Sequence, residues 1–215
     1  MKIKVLGDIL EANDHIALQN RSLFDKSRVL VLNLMSAPGS GKTTLLEMTI
    51  KSLGKEYKIG VIEGDIETTR DAERMEKLEI PIVQINTKSV CHLDASMIKG
   101  VIDDLPLEEL DFLFIENVGN LVCPAEFKVG EHHKVMLLSV TEGDDKPLKY
   151  PLMFRESSVM LINKIDLLPY TDFSMESAKA NARQINPQLE IIELSCRTDE
   201  GLSRWLDWLR GNLIS

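Results

Sequence analysis

The chain has 215 residues, of which 44% are hydrophobic, and a formal net charge of −9 from 34 acidic against 25 basic residues. That is enough apolar material for one full core, so residues 1–215 read as a single domain, with 1–27 as a helical extension packed on it. The acidic balance, with no block of Lys and Arg, argues against a nucleic-acid partner.

No apolar run approaches the roughly 18 residues of a membrane span, and the first residues lack a signal-peptide core. The expectation is a cytoplasmic protein with no membrane partner. Its three cysteines then read as thiols or metal ligands rather than disulfides.

In chain order, residues 9–24 place Ile9, Leu10, Ile16, Ala17, Leu23 and Phe24 at rough helical spacing. This predicts an amphipathic helix outside a sheet, with His15 at the surface. The apolar run Val29 to Met35 predicts a strand. It leads into Ser36-Ala37-Pro38-Gly39-Ser40-Gly41-Lys42-Thr43-Thr44 and a helix over 43–53. A strand at 58–63 ends at Gly64-Asp65, and a charged helix is expected over 68–78. A strand at 82–85, a loop carrying Cys91-His92 and a helix over 93–104 follow. The run Phe112 to Ile115, ending in Glu116, has the fully apolar pattern of a strand buried on both faces. Further strands are expected at 135–140, 159–162 and 190–194, and helices at 174–185 and 200–210. Strands alternating with helices at this spacing predict an α/β fold of three layers, α/β/α, around a mostly parallel sheet of about seven strands. Ligands of such sheets sit at the carboxyl ends of the strands.

The stretch from Ser36 to Thr44 has the strand–turn–helix context of a phosphate-binding loop. Its glycines, Gly39 and Gly41, allow backbone N–H groups around Ser40 to turn towards phosphate oxygens, and the helix N-terminus adds partial positive charge. Lys42 would reach the β- and γ-phosphates and Thr43 would hold Mg²⁺, with Thr44 opening the helix. One departure from the pattern is Ser36 in the place of its first glycine. Asn163-Lys164-Ile165-Asp166 follows a strand end. Asp166 can accept two hydrogen bonds from guanine, a donor pair that adenine lacks, which discriminates strongly against ATP. Lys164 would lie along the base and Asn163 would tie the loops together. Ser195-Cys196-Arg197, after the last strand, would close over the base with backbone N–H groups. These motifs resemble the P-loop GTPases. Glu116-Asn117-Val118-Gly119 fills the place of their Asp-x-x-Gly, with Glu for Asp. Glu116 is then a candidate for Mg²⁺ and Gly119 for the γ-phosphate, and Asp65 and Asp71 are further candidates for Mg²⁺ or water. No Gln or Arg stands out to position water, so slow hydrolysis of GTP is expected.

Cys91, His92 and Cys123 offer thiolate and imidazole, donors that suit Zn²⁺ or Ni²⁺. Three ligands fall one short of a closed tetrahedral site, whereas two chains around a two-fold axis would supply six. On the residues alone, buried thiols with a surface histidine are the alternative. His132-His133 reads as a solvated loop, with a secondary metal role as its alternative.

Lys88-Ser89-Val90-Cys91-His92-Leu93-Asp94-Ala95, Ile115-Glu116-Asn117-Val118-Gly119-Asn120-Leu121-Val122-Cys123-Pro124 and Ser139-Val140-Thr141-Glu142-Gly143-Asp144-Asp145-Lys146-Pro147 resemble the HypB family, accessory GTPases of nickel insertion into hydrogenase. The resemblance runs from about residue 25 to the end of the chain. It implies a GTP-dependent homodimer whose interface metal site uses Cys91, His92 and Cys123. It also implies a nickel-carrier accessory protein and the hydrogenase large-subunit precursor as partners. Residues 1–28 hold neither a cysteine motif nor a His-rich tract, so nickel storage is not expected. The Cys-Pro-His motif of the related urease accessory GTPases (UreG) is not found.

Overall fold

The computed structural model describes residues 7–65, 78–88 and 90–214. Helix α1 (Gly7–Ser27) leads into β1 (Leu30–Ser36), α2 (Lys42–Leu53), β2 (Ile59–Asp65) and β3 (Ile82–Asn86). Then come α3 (Ala95–Lys99), β4 (Phe112–Glu116), α4 (Cys123–Glu126) and β5 (His133–Ser139). The chain continues through α5 (Lys146–Lys149), α6 (Pro151–Glu156), β6 (Val159–Asn163), α7 (Met175–Ile185), β7 (Glu190–Glu193) and α8 (Leu202–Gly211). Among the described residues, seven strands form one sheet in the order β3-β2-β4-β1-β5-β6-β7. Every adjacent pair is parallel.

Helices cover both faces. On one face Leu45, Leu46, Ile50 and Leu53 of α2, with Trp205 and Leu209 of α8, pack on Leu32, Leu34, Phe114 and Leu137. The opposite face carries two separate apolar clusters. One joins Phe24 of α1 and Ile98 of α3 to Val29, Val31 and Ile115. The other joins Met153 and Phe154 of α6 to Met35, Met136 and Ile162. Strands buried on both sides read as continuous apolar runs, which is why the strand pattern was visible in the sequence.

Helix α1 does more than lie against the sheet. Asn13 donates to the Lys128 carbonyl (2.8 Å) and accepts from the Ala95 N–H (2.9 Å). Asn20 donates to the carbonyls of Ala95 (2.9 Å) and Val129 (3.1 Å). Two buried amides thus staple the segments that follow β3 and α4 to the same helix.

Three expectations need correction or fall outside the structure. The helix expected over 93–104 stops at Lys99, capped at Gly100, and a 3₁₀ turn covers Ile102–Asp104. His132 and His133 are not a solvated loop. They lie at the start of β5, where the His132 Nδ1 accepts from the Val31 N–H (3.0 Å) and its Nε2 pairs with Asp25 (2.9 Å). His133 bonds Ser158 (3.1 Å) and stands edge-on to Trp208. Burial holds both imidazoles below their ordinary pKa. Most of the helix expected over 68–78, including Asp71, lies outside the described residues.

Candidate functional site

Strand β1 sits at the centre of the sheet with β4 on one side and β5 on the other. The connection after it therefore opens where the strand order reverses, the usual place for a ligand crevice. Here the chain turns through Gly39 (φ 76°) and Gly41 (φ 104°) before α2 begins at Lys42. A side chain at Gly41 would put Cβ 2.5 Å from the Asn163 amide nitrogen, so only glycine fits. Lys42 is buried and its Nζ donates to the Ser36 Oγ (3.0 Å). Ser36, the departure from the usual loop pattern, thus holds the lysine head inside the loop.

The Thr43 hydroxyl donates to the Glu116 Oε1 (2.8 Å). These are hard oxygen donors converging at the phosphate end of the loop, a chemistry that fits Mg²⁺. Asp65 is the last residue of β2. Sequence reasoning missed Glu63, which is buried and lies opposite Glu116 in the β2–β4 register, a second carboxylate at this crevice. A charged residue inside an otherwise apolar strand was the available signal. It also missed Glu142, whose Oε1 accepts from the Ser40 Oγ (2.7 Å) and the Ser139 N–H (2.9 Å). Gly119 packs against this loop, since a Cβ there would lie 3.1 Å from Pro38.

Beside the loop lies a cavity of about 290 Å³ lined by Gly41, Thr44, Asn163, Lys164, Asp166 and Cys196, with Arg197 at its edge. Asn163 is fully buried and works as a brace. Its Nδ2 donates to the Ser40 carbonyl (2.8 Å), and its Oδ1 accepts from the N–H groups of Lys164 (2.7 Å) and Cys196 (3.2 Å). Lys164, in the left-handed region at φ 64°, reaches back to the Gly39 carbonyl (2.7 Å). Asp166 Oδ1 accepts from the Ser195 Oγ (2.6 Å), whose oxygen in turn accepts from the N–H groups of Arg197 and Thr198. Burial pushes the Cys196 thiol up to about 11, so it is an inert neutral group here.

In the connection after β3, Cys91 Sγ lies 3.2 Å from the Sγ of Cys123, the first residue of α4. The donor atoms of Cys91, His92 and Cys123 all lie within 4.8 Å of one another, the one such cluster among the described residues. A tetrahedral zinc thiolate spaces its sulfurs by about 3.8 Å, so two thiolates and an imidazole at this separation fit a soft cation with little movement. His92 stacks on Phe127 with ring centroids 4.1 Å apart. Burial holds its imidazole in the neutral, ligating form below the usual pKa, and burial together with the neighbouring Cys91 raises the Cys123 thiol.

A parallel sheet with a phosphate loop after its central strand and a carboxylate-bearing cavity beside that loop defines a P-loop nucleotide-binding protein. Residues 30–193 match the family described as CobW/HypB/UreG, nucleotide-binding domain. The chain is 54% identical over 207 residues to hydrogenase maturation factor HypB of Escherichia coli (strain K12), covering 96% of this chain and 71% of that protein. The crystal structure of hydrogenase maturation factor HypB from Archaeoglobus fulgidus superposes with a TM-score of 0.89 at 42% identity, over 94% of this chain and 99% of that one. That of HypB from Helicobacter pylori in complex with nickel gives 0.88 at 40% identity, over 95% and 98%. The chain belongs to the HypB family of hydrogenase maturation factors.

Proposed function

We propose that this protein is a GTP-hydrolysing metallochaperone that assists nickel insertion during maturation of nickel–iron hydrogenase. It works as a single cytoplasmic P-loop domain that dimerises with GTP around the Cys91, His92 and Cys123 site. The observation that carries the reading is the course of one short segment. At one end Glu116 accepts from Thr43 and Gly119 abuts Pro38 of the phosphate loop. At the other end, four residues past Gly119, Cys123 meets Cys91. A group that contacts the γ-phosphate and a metal ligand share one stretch of backbone. Loss of that phosphate releases the segment, and the metal affinity or the dimer changes with it. By linkage, metal must then alter nucleotide affinity by the same factor.

In this scheme Asp166 selects guanine, with Ser195 fixing the carboxylate and Lys164 flanking the base. Gly39, Ser40, Gly41 and Lys42 hold the phosphates. Thr43 and Glu116, with Asp65 and Asp71 as further candidates, hold Mg²⁺, which when bound neutralises charge between the β- and γ-phosphates. With no Arg or Gln assigned to the transition state, hydrolysis by the isolated protein is slow. Nickel is the cargo, passed between a nickel-carrier accessory protein and the hydrogenase large-subunit precursor; zinc is the other ion the site suits. The nickel bound in the Helicobacter pylori relative's structure supports the choice of ion.

Competition between GTP and ATP for the purified protein tests the nucleotide half. Lys42→Ala, measured by GDP titration, should abolish tight binding, and unchanged affinity would refute the assignment of the phosphate loop.

A further inference from the structure

The two apolar clusters on the α1 face of the sheet are separated by a row of buried polar groups. Asn33 in β1 is paired in register with Ile115 in β4 and with Lys134 in β5, so the three side chains share a face. Neighbouring positions on that face, Val31, Met35 and Met136, are apolar and fully buried. Asn33 and Lys134 are not exceptions on an edge. Asn33 is completely buried and the Lys134 side chain is 6% exposed. Burying a lysine and an amide in the centre of a sheet costs free energy that an apolar pair would not, and a buried ion pair is weak grounds for stability. The row calls for another reason.

Its polar contacts converge on the Glu131 carboxylate from both sides. Lys134 Nζ donates to the Ala125 carbonyl (2.6 Å), lies 3.5 Å from that of Pro124 and stands 3.8 Å from the Glu131 carboxylate. Glu131 is fixed by the Val129 N–H (2.8 Å) and accepts from the Asn33 Nδ2 (3.4 Å). Asn33 Oδ1 accepts from the Asn117 Nδ2 (3.1 Å). Asn117 Oδ1 accepts from the N–H groups of Leu93 and Val118, both at 3.0 Å. One end of the row therefore grips the first turn after Cys123. The other grips the backbone one residue after His92. The side chain that makes this second grip, Asn117, is the neighbour of Glu116 and lies two residues before Gly119. A row built for stability alone has no need to finish beside the same three ligands from both sides.

We propose that Lys134, Glu131, Asn33 and Asn117 form a buried positioning chain that sets the spacing between Cys123 and the Cys91-His92 pair and passes movement of the Glu116–Gly119 segment to that spacing. This rests on the metal-site reading above. None of the four is among the residues assigned above to metal or nucleotide. They act by fixing the backbone that carries the ligands, the role that outer partners play around metal ligands generally. When the Glu116–Gly119 segment shifts, Asn117 shifts with it, and the Leu93 N–H it holds follows.

The test uses Co²⁺ as a spectroscopic probe on the full chain, titrated with GDP or with a non-hydrolysable GTP analogue bound. Wild type should show thiolate-to-cobalt absorption and a Co²⁺ affinity that differs between the two nucleotide states. Lys134→Met keeps the side-chain length but cannot donate. It should lower Co²⁺ affinity by about 10-fold or more and bring the ratio between nucleotide states close to one, while GDP affinity stays at the wild-type value. If Lys134→Met does not fold, as judged by circular dichroism and GDP binding, Asn33→Ser decides, because its short hydroxyl cannot bridge Glu131 and Asn117. A variant with wild-type absorption bands and an unchanged ratio overturns the positioning chain and leaves the metal site standing. Absence of the bands in wild type itself, or their persistence in Cys123→Ala, overturns the metal-site reading and the chain with it.

Discussion

Replacing Asp166 by asparagine exchanges one carboxylate oxygen for an amide NH₂ and should invert the hydrogen-bonding character of the cavity beside the phosphate loop. In the structure Asp166 is half-buried and its Oδ1 already accepts from Ser195. Asparagine can keep that bond through its own oxygen, so the fold should be unaffected. What is lost, on the proposed assignment of Asp166 to the base, is the acceptor for the ring N–H and exocyclic amine of guanine. Hydrogen bonds to a charged partner contribute about 1.5–3 kcal/mol each, and partial exposure places this pair at the lower end, about 3 kcal/mol together. That corresponds to a fall of roughly 150-fold in GDP affinity. Xanthine carries a carbonyl where guanine has its amine, so the variant should gain affinity for XDP. Titration of fluorescent GDP and XDP analogues, with thermal unfolding as a control, reads all three effects. An unchanged GDP affinity, or equal losses for GDP and XDP, would refute the assignment of Asp166 to the base.

Gly41→Ala must hold alanine at φ 104° and push the Asn163 amide from a Cβ 2.5 Å away. The expected loss is about 2–4 kcal/mol of stability, read by urea unfolding, together with weakened GDP binding. Trp205 is fully buried in the α2–α8 layer, and its Nε1 donates to Thr49 (3.0 Å). Trp205→Ala should cost about 3–5 kcal/mol of stability, and at low temperature the folded fraction should still bind nucleotide. Because burial raises the Cys196 thiol to about 11, its thiolate is scarce at pH 8, about one part in a thousand. In a Cys91→Ser/Cys123→Ser background, iodoacetamide should therefore label folded protein far more slowly than urea-unfolded protein at that pH; equal rates would contradict the buried position.

The sheet was legible because strands buried on both faces leave apolar runs with no polar alternation, as in Phe112 to Ile115 and Val159 to Ile162. The phosphate loop was legible because glycine, lysine and threonine have few other reasons to follow a strand in that order. The short helices at 123–126, 146–149 and 151–156 were not, because one or two turns show no periodicity. The helix carried through Gly100 in the sequence stops there because that glycine caps it and the chain then tightens into a 3₁₀ turn. The buried amides Asn13, Asn20, Asn33 and Asn117 were invisible for a different reason. Asparagine in a sequence reads as surface or turn, and only the fold shows that their partners lie about 75 to 115 positions away for Asn13 and Asn20. His132 was misread on the same ground, since its partners Val31 and Asp25 are remote in the chain. Cys91, His92 and Cys123 could be named as candidate ligands in advance, but their convergence within 4.8 Å belongs to the structure.

The coupling of nucleotide to metal is tested most directly by Ni²⁺ and Zn²⁺ titration of the purified protein with GDP and with a non-hydrolysable GTP analogue, with molecular mass read in the same samples. The expected result is a dimer with the analogue and a metal affinity that differs between the two states, with the difference lost in Cys123→Ala. Equal affinity and equal mass in both states would contradict the coupling and leave a P-loop protein whose cysteine–histidine site is independent of its nucleotide.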